Sequence, residues 1–97
     1  MNDWTFAQRH PSEELAMLHH FSVKKSQDGK QIDFTIIVRE YAKPNAQNMM
    51  FFAQADKQTN QKTAPFTPCG WGDTMLKALS DCIQSLSRFP YEGPDAG

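Results

Sequence analysis

His19-His20-Phe21-Ser22-Val23-Lys24-Lys25-Ser26-Gln27-Asp28-Gly29-Lys30-Gln31-Ile32-Asp33-Phe34-Thr35-Ile36-Ile37-Val38-Arg39-Glu40-Tyr41 is the stretch whose reading decides the fold. Asp28-Gly29 sits between two runs of alternating polarity. That is the strongest short-range signal for a hairpin, because a type I′ turn needs positive φ at both central residues. With a two-residue loop the pairing follows by arithmetic: Gln27 opposite Lys30, Lys25 opposite Ile32, Lys24 opposite Asp33, Val23 opposite Phe34, Phe21 opposite Ile36. This register puts Phe21, Val23, Phe34 and Ile36 on one face. On the other it sets Lys24 across from Asp33, where opposite charges are favourable.

Downstream, Pro44 among Asn and Gln residues ends the second strand, since proline has no N–H to give to a ladder. A third strand starts near Asn48. Its odd positions Met49, Phe51, Ala53 and Ala55 are all apolar and are assigned to the core, while Met50, Phe52, Gln54 and Asp56 face away. Residues 57–70 form a long polar connection rich in Pro and Thr, with room for a fourth strand; connections of that length are uncommon unless functional or mobile. Asp73 or Thr74 caps a helix whose Met75, Leu79, Cys82, Ile83 and Leu86 recur at helical spacing. Arg88 suits its last turn and Pro90 stops it.

Upstream, Pro11-Ser12-Glu13-Glu14 has the chemistry of a helix start, so a short helix is expected over Ser12 to Leu18. Trp4 and Phe6 supply either a short strand or an aromatic arm. The expected fold is α+β in two layers: an antiparallel sheet of three strands, or of four if the long connection supplies one, on a C-terminal helix, with a short N-terminal helix. Residues 1–91 are read as one domain and 92–97 as a loose tail, since 97 residues support a single core.

Composition narrows the function classes. Ten Lys and Arg against eleven Asp and Glu leave a net charge of −1, which gives no global attraction to nucleic acid or anionic membrane. Two cysteines without a C-x-x-C motif fit a reducing, cytoplasmic setting. No leader-like segment and no apolar run of membrane-spanning length is present, so no membrane association is expected.

Pro68-Cys69-Gly70-Trp71-Gly72-Asp73-Thr74-Met75-Leu76-Lys77-Ala78-Leu79-Ser80-Asp81-Cys82-Ile83 resembles the HicB-like antitoxin module. There a Pro, Gly and Cys loop leads to Gly-Asp-Thr or Gly-Glu-Thr and then to a helix carrying Ala-Leu. The resemblance covers residues 68–83 and implies a partial double-stranded-RNA-binding-domain fold and an antitoxin-like regulatory role. The duplex-RNA-binding family proper places a lysine cluster at the start of that helix. Here only Lys77 is present, and duplex binding is not expected.

Candidate chemistry is sparse. His10, His19, His20, Cys69 and Cys82 are possible metal ligands but follow no ligand spacing, so neither metal nor cofactor is expected. His19 shares a face with Phe21 and Val23 and is expected at the core's margin with one nitrogen satisfied. Cys69, in a loop before a helix N-terminus, is the candidate nucleophile if the chain is a small enzyme. The outer sheet face is more informative. Ile37, Tyr41, Met50 and Phe52 are too apolar for a freely solvated face, and such patches mark contacts; Arg39 and His20 share that face. The N-terminal segment, a second copy, or a single-stranded nucleic acid stacked on Tyr41 and Phe52 would cover it. Phe66 and Trp71, framed by Pro and Gly, are candidate loop anchors. The leading expectation is a non-catalytic interaction or regulatory module with a protein partner, working as a homodimer. The alternatives are a single-stranded nucleic-acid binder and an enzyme built on Cys69.

Overall fold

The computed structural model describes residues 3–10, 12–44 and 47–93. The Asp28-Gly29 turn has φ of 53° and 78°, both positive as a type I′ turn requires. It joins β1 (Ala16–Gln27) to β2 (Lys30–Tyr41), paired without interruption from Gln27↔Lys30 to Ala16↔Tyr41. Every pair derived from the sequence is present, Lys24↔Asp33 and Phe21↔Ile36 included. Each strand has twelve residues, a length of about 40 Å, which sets the long dimension of a 47 × 22 × 20 Å molecule.

β3 (Phe51–Ala55) and β4 (Cys69–Gly72) complete an antiparallel sheet in the order β1-β2-β3-β4, and α1 (Met75–Arg88) covers one face. The fold is α+β in two layers. The core lies between α1 and the even positions of β2: Ile32, Phe34, Ile36 and Val38, joined by Ala53 and Ala55 and met by Ala78, Cys82 and Leu86. Odd positions of β3 do face the core, as their apolar pattern predicts.

Local chemistry fixes the ends of α1. Thr74 is the N-cap, its hydroxyl accepting from the Lys77 N–H at 3.2 Å, and Asp73 pairs with Lys77 at 3.0 Å. That ammonium holds the Asp73 carboxyl below the usual carboxylate range. At the other end Lys25 of β1 donates to the Leu86 and Phe89 carbonyls at 3.1 and 2.7 Å, supplying donors that helix-end carbonyls otherwise lack. Burial lowers the Lys25 pKa. Beyond α1, Tyr91 is tied to the hairpin tip: the Gln27 amide donates to its carbonyl and accepts from its N–H, at 2.7 and 2.8 Å. The Tyr91 ring meets Phe34 edge-on at 5.8 Å.

Two local expectations are corrected and one open alternative is decided. The helix expected over Ser12 to Leu18 is absent: β1 begins at Ala16, and the N-terminal turn is a 3-10 helix at Asp3–Ala7, carrying Trp4 and Phe6. The reason is tertiary, since Ala16, Met17 and Leu18 pair with Tyr41, Glu40 and Arg39. Pro11, part of the expected helix start, lies outside the described residues. Second, the fourth strand for which the sequence leaves room is present, at the end of the long connection. Before it, the β-structure of residues 57–68 is a single Thr59↔Phe66 bridge, in which each N–H donates to the other's carbonyl at 2.8 and 2.9 Å, and the Asn60 N–H donates to the Pro90 carbonyl at 2.8 Å. Third, Glu92 at the start of the expected tail is anchored. Its N–H donates to Gln61 at 2.7 Å and its carboxylate accepts from the Lys62 N–H at 2.9 Å. Residues 94–97 lie outside the described residues.

Candidate functional site

β4 reads Cys-Gly-Trp-Gly, and its two glycines face the helix. A Cβ on Gly70 would lie 2.5 Å from the Ala78 carbonyl oxygen, and one on Gly72 would lie 2.7 Å from the Ala78 nitrogen. α1 therefore rests directly on the β4 backbone, which only glycine permits. Alternation then sends Trp71 to the opposite face, where it pairs across the ladder with Phe52.

Trp71 completes a cluster on the outer face of the sheet. Its ring lies nearly parallel to Tyr41 (6.3 Å between centroids, 14° between planes) and contacts Phe52 at 4.5 Å with a 38° tilt. Phe52 pairs with Arg39, and Ile37 lies two residues before Arg39 on the same face. Tyr41, Phe52, Ile37 and Arg39 are half-buried, while Trp71 keeps 41% of its surface exposed. The result is a self-stacked aromatic ridge across β2, β3 and β4, with a cation and an aliphatic side chain beside it. At its Tyr41 end lies a groove of about 270 Å³ lined by Gln8, Leu15, Lys43 and Pro44; at its Trp71 end lies one of about 340 Å³ lined by Asn48, Met49 and Lys77.

The other candidate residues separate. His20 is exposed on β1 opposite Ile37, at the margin of the face. Met50 precedes β3 and accepts from the Tyr41 N–H at 2.8 Å, so it borders the ridge through its backbone. Phe66 belongs elsewhere: it is half-buried, bridged to Thr59, and its ring meets Phe89 edge-on at 5.6 Å, closing the end of the core. Phe66 and Trp71 therefore do not form one loop anchor. Trp71 is a strand residue, and the Gly-x-Gly frame around it was the signal that it leaves the helix face.

The titratable groups do not assemble a reaction centre among the described residues. Cys82 is buried on the sheet-facing side of α1, its thiol donates to the Pro68 carbonyl at 3.5 Å, and its pKa is pushed up to about 12, chiefly by desolvation. Cys69 is half-buried on β4, at the opposite sheet edge from His19 and His20 on β1. His19 sits at the core margin, its Nε2 2.9 Å from Glu40, so the expected satisfied nitrogen is present. No group of three or more His, Cys, Asp or Glu able to hold a metal ion occurs among the described residues. Among the same residues no helix is long and apolar enough to cross a membrane.

No protein-family model, curated protein or solved structure matches this chain.

Proposed function

We propose that this protein is a non-catalytic, homodimeric interaction module that binds a protein partner on the outer face of its sheet. One observation carries the reading: the Tyr41-Phe52-Trp71 ridge stands on a sheet face opposite the only α-helix of the described residues, with its largest ring exposed. Large aromatics next to an arginine are the side chains that dominate protein-binding energetics, because they bury much area with few torsions to freeze. The grooves at both ends of the ridge give a partner's side chains somewhere to insert.

The arrangement of the rings favours protein over single-stranded nucleic acid. Bases need open ring faces to stack on. Here Trp71 and Tyr41 lie nearly parallel and Phe52 leans on Trp71, so much of the ring surface is already used within the chain. Two further points support the wider picture. Cys69 and Cys82 are both free thiols, in keeping with a reducing, cytoplasmic setting. The resemblance of residues 68–83 to HicB-like antitoxins suggests a toxin as the partner class.

The test is affinity capture from cells of the source organism with wild-type protein and with Trp71→Ser, both checked for folding by circular dichroism. The reading expects a discrete protein retained by the wild type and lost with the variant. Identical capture by both, or retained material absorbing at 260 nm rather than 280 nm, would overturn it.

A further inference from the structure

β1 is an edge strand, and a single free lysine, Lys24, is the one guard on its outer margin. Which main-chain groups point outward follows from the ladder. The Tyr41 N–H donates to Met50 and the Thr35 carbonyl accepts from Asp56, so odd positions of β2 face β3 and even positions face β1. Through the register, even positions of β2 meet odd positions of β1. The N–H and C=O groups of Ala16, Leu18, His20, Ser22, Lys24 and Ser26 therefore point away from the sheet. Among the described residues no hydrogen bond to these groups is made from outside the strand.

Edges of this kind are normally blunted by proline, a bulge, a short strand, a free charge or a covering segment. β1 has twelve residues, contains no proline, and pairs with β2 without a bulge. Of its two lysines Lys25 reaches away from the edge to the end of α1, so Lys24, exposed on the outer face opposite Asp33, is the one free charge on the strand. The apolar side chains of the strand are incompletely covered as well. Phe21 and Val23 are only half-buried on the helix side, and Met17 and Leu18 are 37% and 49% exposed.

We propose that two copies of this chain join through β1, antiparallel and two-fold symmetric, into one continuous eight-stranded sheet centred on Phe21. This rests on the reading of the protein as a homodimer and names its interface. With Phe21 opposite Phe21 of the second copy, residues 16–26 overlap completely, and all the outward groups pair in a ladder of about twelve main-chain hydrogen bonds. On the helix side His19 meets Val23 of the second copy. The Phe21 pair falls at a non-hydrogen-bonded position, where Cα atoms approach to about 4.5 Å and aromatic pairs are favourable. On the outer side Lys24 stands opposite Leu18 of the second copy, so no lysine faces a lysine. The two-fold axis is normal to the sheet. Both helices therefore lie on one side and both aromatic ridges on the other, giving a bivalent binding face.

Light scattering on three variants and the wild type tests this. Wild type is expected at twice the 11.0 kDa chain mass at about 100 μM. Ser22→Pro removes an outward N–H without touching the ladder to β2, the one arrangement in which a strand tolerates proline, and is expected to be a folded monomer. Leu18→Lys, at an exposed position, sets an ammonium against Lys24 of the second copy and should weaken the dimer at least tenfold; it decides the matter if Ser22→Pro does not fold. Ile37→Lys, on the outer face of β2, should remain dimeric. A dimer unchanged by Leu18→Lys, or lost with Ile37→Lys alone, would overturn the edge interface while leaving the homodimer standing. A monomeric wild type would overturn both.

Discussion

Replacing Gly70 by alanine tests the contact on which the placement of Trp71 depends. The added Cβ would meet the Ala78 carbonyl oxygen at 2.5 Å, the Cys82 nitrogen at 2.7 Å and the Asp81 Cβ at 2.8 Å. Two of the three are backbone atoms of α1, and the nearest is about 0.9 Å short of ordinary contact. No rotamer change relieves that, so the helix must move away from β4 as a unit. A radial gap of 0.5–1 Å forfeits about a quarter to a half of each dispersion well, and Ala78 and Cys82 are both fully buried in this layer. Together with the strain of overpacking, the cost is about 2–4 kcal/mol. Gly29→Ala is the control: it has nothing within 4 Å and only the penalty of its φ of +78°, about 1–2 kcal/mol. Urea denaturation followed by circular dichroism gives both values. A Gly70→Ala variant within about 0.5 kcal/mol of wild type, or less affected than Gly29→Ala, would refute the direct seating of α1 on β4.

Further outcomes follow from the same geometry. Thr74→Ala removes the N-cap acceptor and should cost about 1 kcal/mol in the same assay, with Thr74→Ser largely restoring it. Lys25→Met should cost about 1–3 kcal/mol, because the Leu86 and Phe89 carbonyls lose a charged donor from a position that keeps its apolar stem. Cys82 holds its proton more tightly folded than unfolded, its pKa being raised to about 12. Its contribution is fully present below the unfolded thiol pKa, near 9, and is lost as pH rises toward 12, at up to tenfold in the folding constant per pH unit. Cys82→Ala should flatten that alkaline limb in a pH series of denaturation curves. Iodoacetamide at pH 8 should leave Cys82 unmodified in the native protein.

The hairpin was legible because each local signal agreed with the others: turn chemistry, alternation and the Lys24–Asp33 pair all specify one register. The N-terminal segment was not. Ser12 to Glu14 carry helix-start chemistry, yet Ala16 to Leu18 gain more from the far half of β2 than a two-turn helix gains alone. β4 was obscured for the opposite reason. Glycines weaken a strand locally, so Gly70-Trp71-Gly72 reads as loop, and the close approach of α1 that makes them necessary is visible only in three dimensions. The same blindness separated Trp71 from Tyr41 and Phe52, though the latter two were readable as outer-face residues from alternation alone. The contact of Phe66 with Phe89 is not readable from the sequence, because β4 and the whole of α1 separate the two.

The central claim is that the partner sits on the aromatic ridge of the sheet. Hydroxyl-radical footprinting of the wild-type protein, free and with its captured partner, tests this most directly. It compares Trp71 and Tyr41 with Leu76, which is 73% exposed on α1 and offers the competing apolar surface. The account predicts protection of Trp71 and Tyr41 in the complex with Leu76 unchanged. Protection of Leu76 with Trp71 as reactive as in the free protein would contradict it.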